Sequence, residues 1–171
     1  MACYITSGIT SACEGFNFGG VSKVWLGNYD DLSGVTKSTT GNTVGQVTAF
    51  SAQLYEFEAV LDTSSLVESL TRAGSSLFVK ATLTFQVSTP TQAKVNLLND
   101  LVQSWLFAVI KISNGTYFMV GDTGRGLRAI DGTQFTTGAA QADATGITVI
   151  LEGGMLGYAN TVKESAVLAN I

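Results

Sequence analysis

The sequence predicts a mainly β protein, a β-sandwich or partly open barrel with one flanking α-helix at about 90–104. Three observations support this fold class. Apolar and polar residues alternate over Ser76–Val87, as in a strand with one buried face. The single proline, Pro90, precedes apolar residues at helical spacing. Nineteen glycines divide much of the remaining chain into short segments.

The 171 residues suffice for one domain with a sizeable core. We expect 1–20 to be an N-terminal arm, because they are small, polar and glycine-rich. Residues 21–171 then form a single β-sandwich domain with a mobile loop at about 30–45, since 36–45 contain no large apolar residue except Val44. Charged residues are only 13% and mean hydropathy is +0.30, which favours a surface buried against partner subunits.

The N-terminal half contains two further strand signals. Val21–Leu26 is a short strand candidate. Gln53–Leu61 alternates with period two, placing Glu56 and Glu58 on one face of a half-buried strand. Residues 64–72 fit either a strand or a short helix.

The clearest signal is Ser76–Val87, whose polar face carries Lys80, Thr82, Thr84 and Gln86. Twelve residues span roughly 40 Å as a strand, more than the usual length of about 5–6 residues. Such a strand overhangs a 17.9 kDa domain. It therefore needs a long hairpin partner or a neighbouring subunit beside it.

The helix prediction includes a specific cap. Thr89 is the expected N-cap, Pro90 the first helical residue and Gln92 the third, which together make a capping box. The apolar stripe of this helix should lie on a sheet face.

Strand signals dominate the rest of the chain. Trp105–Ile112 and Tyr117–Val120 flank the turn pair Asn114-Gly115. Ile147–Glu152 alternates and should end at Gly153-Gly154. Residues 155–171 are expected to be a tail with some strand propensity. The whole pattern predicts seven to nine strands and one helix.

Composition excludes several functions. The chain has no histidine, which removes Ser-His and Cys-His catalysis and His-ligated zinc. Its two cysteines, Cys3 and Cys13, are too few for a disulfide scaffold or a four-cysteine metal site. A pI of about 4.6 argues against tight sequence-independent DNA binding. We also expect no signal peptide and no membrane span.

Four local groups of residues are candidate functional sites. Asp122-Thr123-Gly124 matches the aspartic-protease triplet, but such an enzyme needs two carboxylates, so a glycine-rich connection is favoured. Asp30-Asp31 lacks the spaced oxygen ligands of a calcium loop. The pair Glu56 and Glu58 could serve a glycosidase, although a solvated strand face is favoured. Arg125 and Arg128 could bind an anion or form an intersubunit ion pair. We therefore expect no enzyme activity, cofactor or metal.

The order of these features resembles that of phage tail tube (major tail) proteins. The resemblance rests on Ser88-Thr-Pro-Thr-Gln92 before a helix, on Thr116-Tyr-Phe-Met-Val-Gly-Asp-Thr-Gly-Arg-Gly-Leu127 and on Gly146-Ile-Thr-Val-Ile-Leu-Glu-Gly153, followed by a short tail. It covers roughly 76–171. The opening MACYITSGITSAC is also similar to the start of virion proteins of phages that infect gut and marine Bacteroidetes.

The resemblance implies a structural virion protein made in the host cytoplasm and located in the viral tail. Long strands would pool into a hexameric ring, and rings would stack into a conduit for DNA ejection. Its partners would be other copies, other tail or head–tail connector proteins, and DNA in non-specific passage, with no membrane. The lumen-facing candidates are Glu56, Glu58, Lys80, Thr82, Thr84 and Gln86.

Two alternatives remain at this point. One is a head–tail junction or tail terminator ring protein. The other is a non-viral β-sandwich module that binds a sugar or protein through exposed aromatic rings such as Trp25, Tyr29 and Phe78.

Overall fold

Two β-sheets form the fold, which is a sandwich-like arrangement rather than a closed barrel. The mainly β prediction is therefore confirmed. The fold is given by a computed structural model that describes residues 20–40, 43–60, 62–88, 91–137 and 145–171. The predicted arm at 1–20 lies outside the described residues except for Gly20.

The larger sheet has seven strands in the described part of the chain. Their spatial order is β2-β3-β12-β8-β7-β1-β4, and only the β3–β12 pair is parallel. The strands are β1 (Val21–Asn28), β2 (Ser33–Thr40), β3 (Thr43–Ser51), β4 (Tyr55–Phe57), β7 (Leu106–Ile112), β8 (Tyr117–Val120) and β12 (Asn160–Val162).

The smaller sheet is antiparallel and has five strands. Its order is β10-β11-β6-β5, with β9 pairing β11 beyond this path. The strands are β5 (Ser65–Ala73), β6 (Ser76–Ser88), β9 (Arg128–Ala129), β10 (Gln134–Thr136) and β11 (Gly146–Met155). The long strand predicted over Ser76–Val87 is thus confirmed as the 13-residue β6, and 64–72 resolves as a strand.

The main core lies between the two sheets. Every second residue of β6 from Val79 to Phe85 is buried there, and β7 contributes from the opposite sheet. Phe85 packs edge-to-face on Phe57, with ring centroids 5.8 Å apart. The buried members on β6 and β7 are Val79, Ala81, Leu83, Phe85, Leu106, Ala108 and Ile110.

A second core covers the other face of the seven-stranded sheet. It contains Phe107 and Val109 of β7 and also α2 (Glu164–Leu168), whose Ala166 and Val167 are buried. Residues 155–171 are therefore packed into the domain, and their strand propensity is realised in β12, whereas α2 was not predicted. The Asn170 amide fixes this end by donating to the carbonyl oxygen of Phe50 at 3.1 Å.

The loop predicted at about 30–45 is corrected by the structure. Tyr29–Asp31 form one turn of 3₁₀ helix, and the next residues enter strands β2 and β3. Val47 and Phe50 of β3 are buried in the second core, which gives these Thr-rich strands the apolar anchor that 36–45 lack. Residues 41–42 lie outside the described part of the chain.

The flanking helix is α1 (Gln92–Gln103), close to the predicted 90–104. Its N-cap is Thr91, whose hydroxyl accepts from the Lys94 N–H at 3.3 Å, so the predicted cap at Thr89 is wrong. The Gln92 side chain donates to Asn96 rather than completing a capping box. Thr89 and Pro90 lie outside the described residues.

Two strands differ in length from the prediction. The strand predicted over Gln53–Leu61 is only three residues long, and strand β11 continues through Gly153-Gly154 to Met155. The described residues form twelve strands and two α-helices, more than the pattern predicted.

The cap assignment gives a direct test. Thr91→Ala removes the side-chain oxygen that accepts from the Lys94 N–H in the first helical turn, so we expect a loss of about 1 kcal/mol in the free energy of unfolding. Urea denaturation followed by circular dichroism measures it. Thr89→Ala is the matched comparison, and a larger loss at Thr89 than at Thr91 would contradict the assignment.

Candidate assembly surface

The β5–β6 hairpin extends past the rest of its sheet. Strand β6 spans about 43 Å at the usual rise per residue. Strand β11 pairs with it only from Ser88 to Val79, whereas β5 continues to the Ala73–Ser76 pair. Residues 72–77 are all exposed. The tip of the hairpin is therefore a two-stranded ribbon without a third strand among the described residues.

Strand β5 is an open edge of the five-stranded sheet. Its nine residues pair with β6 on one side and with no other described strand on the other side. Val67 and Leu70 of β5 and Leu77 at the start of β6 are 59%, 57% and 53% exposed. An edge this long with exposed apolar side chains is a template for pairing with another chain.

Glu68 is the charged residue in the middle of this edge. It lies on the core-facing side opposite Ala81, and its carboxylate accepts from the Ala159 N–H at 3.0 Å. Partial burial raises the pKa of Glu68, the Ala159 hydrogen bond opposes this rise, and the charge of Asp122 adds to it. An inward-pointing carboxylate is one way in which natural sheets protect an edge from indiscriminate pairing.

The outer face of the five-stranded sheet carries one of the two predicted polar sets. Lys80, Thr82, Thr84 and Gln86 share this face and are half-buried, whereas the residues between them are buried in the core. The Lys80 ammonium lies 2.9 Å from the Glu152 carboxylate of β11. The alternation is confirmed, and the position of this face in a lumen stays a prediction.

Glu56 and Glu58 lie on the other sheet. Glu56 is in β4, opposite Trp25 of β1, and Glu58 follows the end of that strand. The Glu56 carboxylate is 2.7 Å from the Lys23 ammonium, a contact that raises the pKa of Lys23. Strands β4 and β6 belong to different sheets and are not a hydrogen-bonded pair, although the Val60 N–H, just after Glu58, donates to the carbonyl oxygen of Gln86 at 2.7 Å.

The aromatic platform considered for a binding module is not formed. Trp25 is only 3% exposed, within the second core. Tyr29 donates its hydroxyl to the Gly124 carbonyl at 3.1 Å, and Phe78 is half-buried on the other sheet. The expectation that Trp25 is an exposed ligand platform was therefore wrong.

Asp122 of the Asp-Thr-Gly triplet has a structural partner. Its nearly buried carboxylate lies 2.7 Å from the Lys37 ammonium of β2. The triplet lies in the connection between β8 and β9, where Gly121, Gly124 and Gly126 all have positive φ. Within the described ranges, no group of three or more His, Cys, Asp or Glu could hold a metal ion.

The structure contains a cavity beneath α1 that the sequence pattern does not predict. It measures about 490 Å³ and is bordered by Phe57, Leu98 and Val149, with Glu56 and Glu58 also in its lining. Among the residues of α1 only Leu101 is buried, so the apolar stripe of α1 covers the sheet incompletely. Helical spacing predicts which residues form a stripe, but it does not predict how closely the helix approaches the sheet.

Comparison with models of known protein families, with curated proteins and with solved structures finds no match. Among the described residues, no helix is long and apolar enough to cross a membrane.

Glu68 gives this surface a measurable pH dependence. Its pKa is higher in the folded than in the unfolded chain, so the folded chain binds more protons between the two values. This contribution to stability is present below the ordinary glutamate value of 4.5 and is lost as the pH rises through the folded value. We expect Glu68→Gln to lose less unfolding free energy than the natural protein over this range.

Denaturant titrations at a series of pH values from 4.5 to neutrality measure the effect. Glu58→Gln, which changes an exposed glutamate, is the control and should keep the natural pH dependence. Parallel curves for Glu68→Gln and the natural protein would show that Glu68 does not titrate in this way.

Proposed function

We propose that this protein is a structural subunit of a phage tail tube, which assembles into rings through strand β5 and stacks those rings into a conduit for DNA. The observation that carries the proposal is the open nine-residue edge with apolar side chains exposed beside it. The resemblance of the sequence to tail tube proteins supplies the form of the assembly.

A second copy is the occupant that best suits this edge. The N–H and C=O groups of β5 that have no partner strand among the described residues can bond to a strand of any sequence, and Val67 and Leu70 would lose water in the contact. Only 13% of residues are charged, so copies approach each other with little desolvation of charge. In a ring, β5 of each copy pairs with a different edge of the next copy, and closure of the ring removes the risk of open-ended aggregation.

The polar face of the five-stranded sheet is the proposed lumen wall. If the sheets of neighbouring copies join across β5, this face continues from copy to copy as one surface. Thr82, Thr84 and Gln86 would keep the wall hydrated, and the charge of Lys80 is compensated by Glu152. Along these four positions the wall offers DNA no cation without an acidic partner, which favours passage over binding there.

Glu56 and Glu58 remain candidates for a different part of the assembly. They lie on the other sheet, so they would face the lumen only if that sheet, rather than the five-stranded one, formed the wall. A ring protein of the head–tail junction or a tail terminator would use the same edge contact. It would differ by forming single rings instead of stacked ones.

Leu70→Lys tests the edge contact. The side chain is exposed in the single chain, so the change should alter the unfolding free energy by no more than about 0.5 kcal/mol. In a joined edge it would bury an unpaired charge and block assembly. We expect the variant to remain at the 17.9 kDa monomer mass in light scattering, while the natural protein forms rings near six times that mass and tubes that pellet.

Leu168→Lys is the matched control, because Leu168 is 63% exposed on α2, away from the edge. It should assemble as the natural protein does. Normal rings from Leu70→Lys, or a natural protein that stays monomeric at high concentration, would refute the proposed contact.

A further inference from the structure

A groove of about 610 Å³ runs beside the polar face, at the end nearest the hairpin tip. Its lining includes three basic side chains and two aromatic rings, with Glu152 as the acidic member. The basic and aromatic residues are Phe78, Lys80, Trp105, Arg125 and Arg128. Gly153 and Gly154 of β11 also line the groove, so part of its surface is backbone that carries no side chains.

The backbone fixes the position of Arg125. The residue lies between Gly124 and Gly126, which have φ of +83° and +78°. A Cβ on Gly124 would clash with the carbonyl oxygen of Gly154, so this turn lies directly on strand β11. Arg125 therefore extends from a turn that is held against the sheet.

A β-bridge places Trp105 beside Arg128. Leu106 and Leu127 exchange two backbone hydrogen bonds of 2.9 and 2.6 Å, and their chain neighbours are Trp105 and Arg128. The Arg128 guanidinium carbon lies 5.6 Å from the centre of the Trp105 ring, a cation–π distance. Trp105 remains 41% exposed, so part of its ring is open to a ligand.

Arg125 and Arg128 are the two cations of the groove that form no ion pair with a described residue, although Arg128 lies directly across from Glu152 in the β9–β11 pair. Glu152 is paired with Lys80 at 2.9 Å. The other ion pairs among the described residues are Lys23–Glu56 and Lys37–Asp122, so neither Arg125 nor Arg128 has an ion-pair partner within the described ranges. A guanidinium presents parallel donors that match the oxygens of a phosphate.

We propose that this groove binds a phosphate group attached to a planar base, the chemistry of a nucleotide. The phosphate lies against Arg125 and Arg128, and the base stacks on the exposed part of Trp105. The aromatic rings favour this ligand over an acidic peptide, which has no planar group to stack. Free nucleotides and unpaired nucleic-acid strands both supply this chemistry. The inference does not depend on ring assembly.

Fluorescence titration tests the groove directly, because Trp105 is exposed and Trp25 is buried. The probes are thymidine monophosphate, a ten-residue thymidine oligonucleotide and a ten-residue glutamate peptide. We expect saturable quenching by a nucleotide probe, weakened about tenfold or more in Arg125→Ala/Arg128→Ala. Binding by the monophosphate identifies a free-nucleotide site. Binding by the oligonucleotide alone identifies a site for a strand.

Lys163→Ala, which removes an exposed cation on another part of the fold, is the control and should bind as the natural protein does. Arg125→Gln serves as a second variant if the double variant fails to fold, since Arg125 is an exposed turn residue. Trp105→Phe should lose the signal but still bind a fluorescently labelled oligonucleotide. Absence of saturable binding, equal binding by the arginine variants, or tighter binding of the glutamate peptide would overturn the proposal.

Discussion

The fold depends on the pairing of strand β6 along both of its sides. It forms ten residue pairs with β11 and nine with β5. One face of β6 supplies Leu83 and Phe85 to the core, and the other supplies the polar surface. Because β11 does not reach the first residues of β6, strand β6 also forms the overhanging ribbon with β5. The core, the polar face and the open edge are thus three consequences of one long alternating segment.

The β6 segment was predictable because its signal is local. Alternation over Ser76–Val87 needs no knowledge of distant residues, and a strand of that length implied a partner beside it. The hairpin of β2 and β3 was missed for the opposite reason. Its strands contain few large apolar groups, and the second core that holds Val47 and Phe50 is assembled from distant segments, including Phe107 and Val167.

The candidate site residues also divide into those placed by a local pattern and those placed by contacts with distant segments. Lys80 and Thr82 share a face as predicted, since alternation alone decides it. The placement of Glu56 on another sheet depends on the pairing of β4 with β1, which the sequence does not encode locally. The sequence suggests that Trp25 is an exposed ring, because it does not show that a second core covers the outer face of its sheet. Two threonines flank Pro90 in the sequence, so the pattern could not decide that Thr91 is the N-cap.

The proposed assembly depends on strand pairing at the open edge of β5. Amide hydrogen exchange measures that pairing directly. In the monomer, the N–H groups of Ser65–Ala73 that point away from β6 donate to no other described strand, so we expect them to exchange rapidly. If rings form through this strand, those amides bond to a neighbouring copy and become protected on assembly. Assembled rings in which the amides of β5 exchange as fast as in the monomer would contradict the claim.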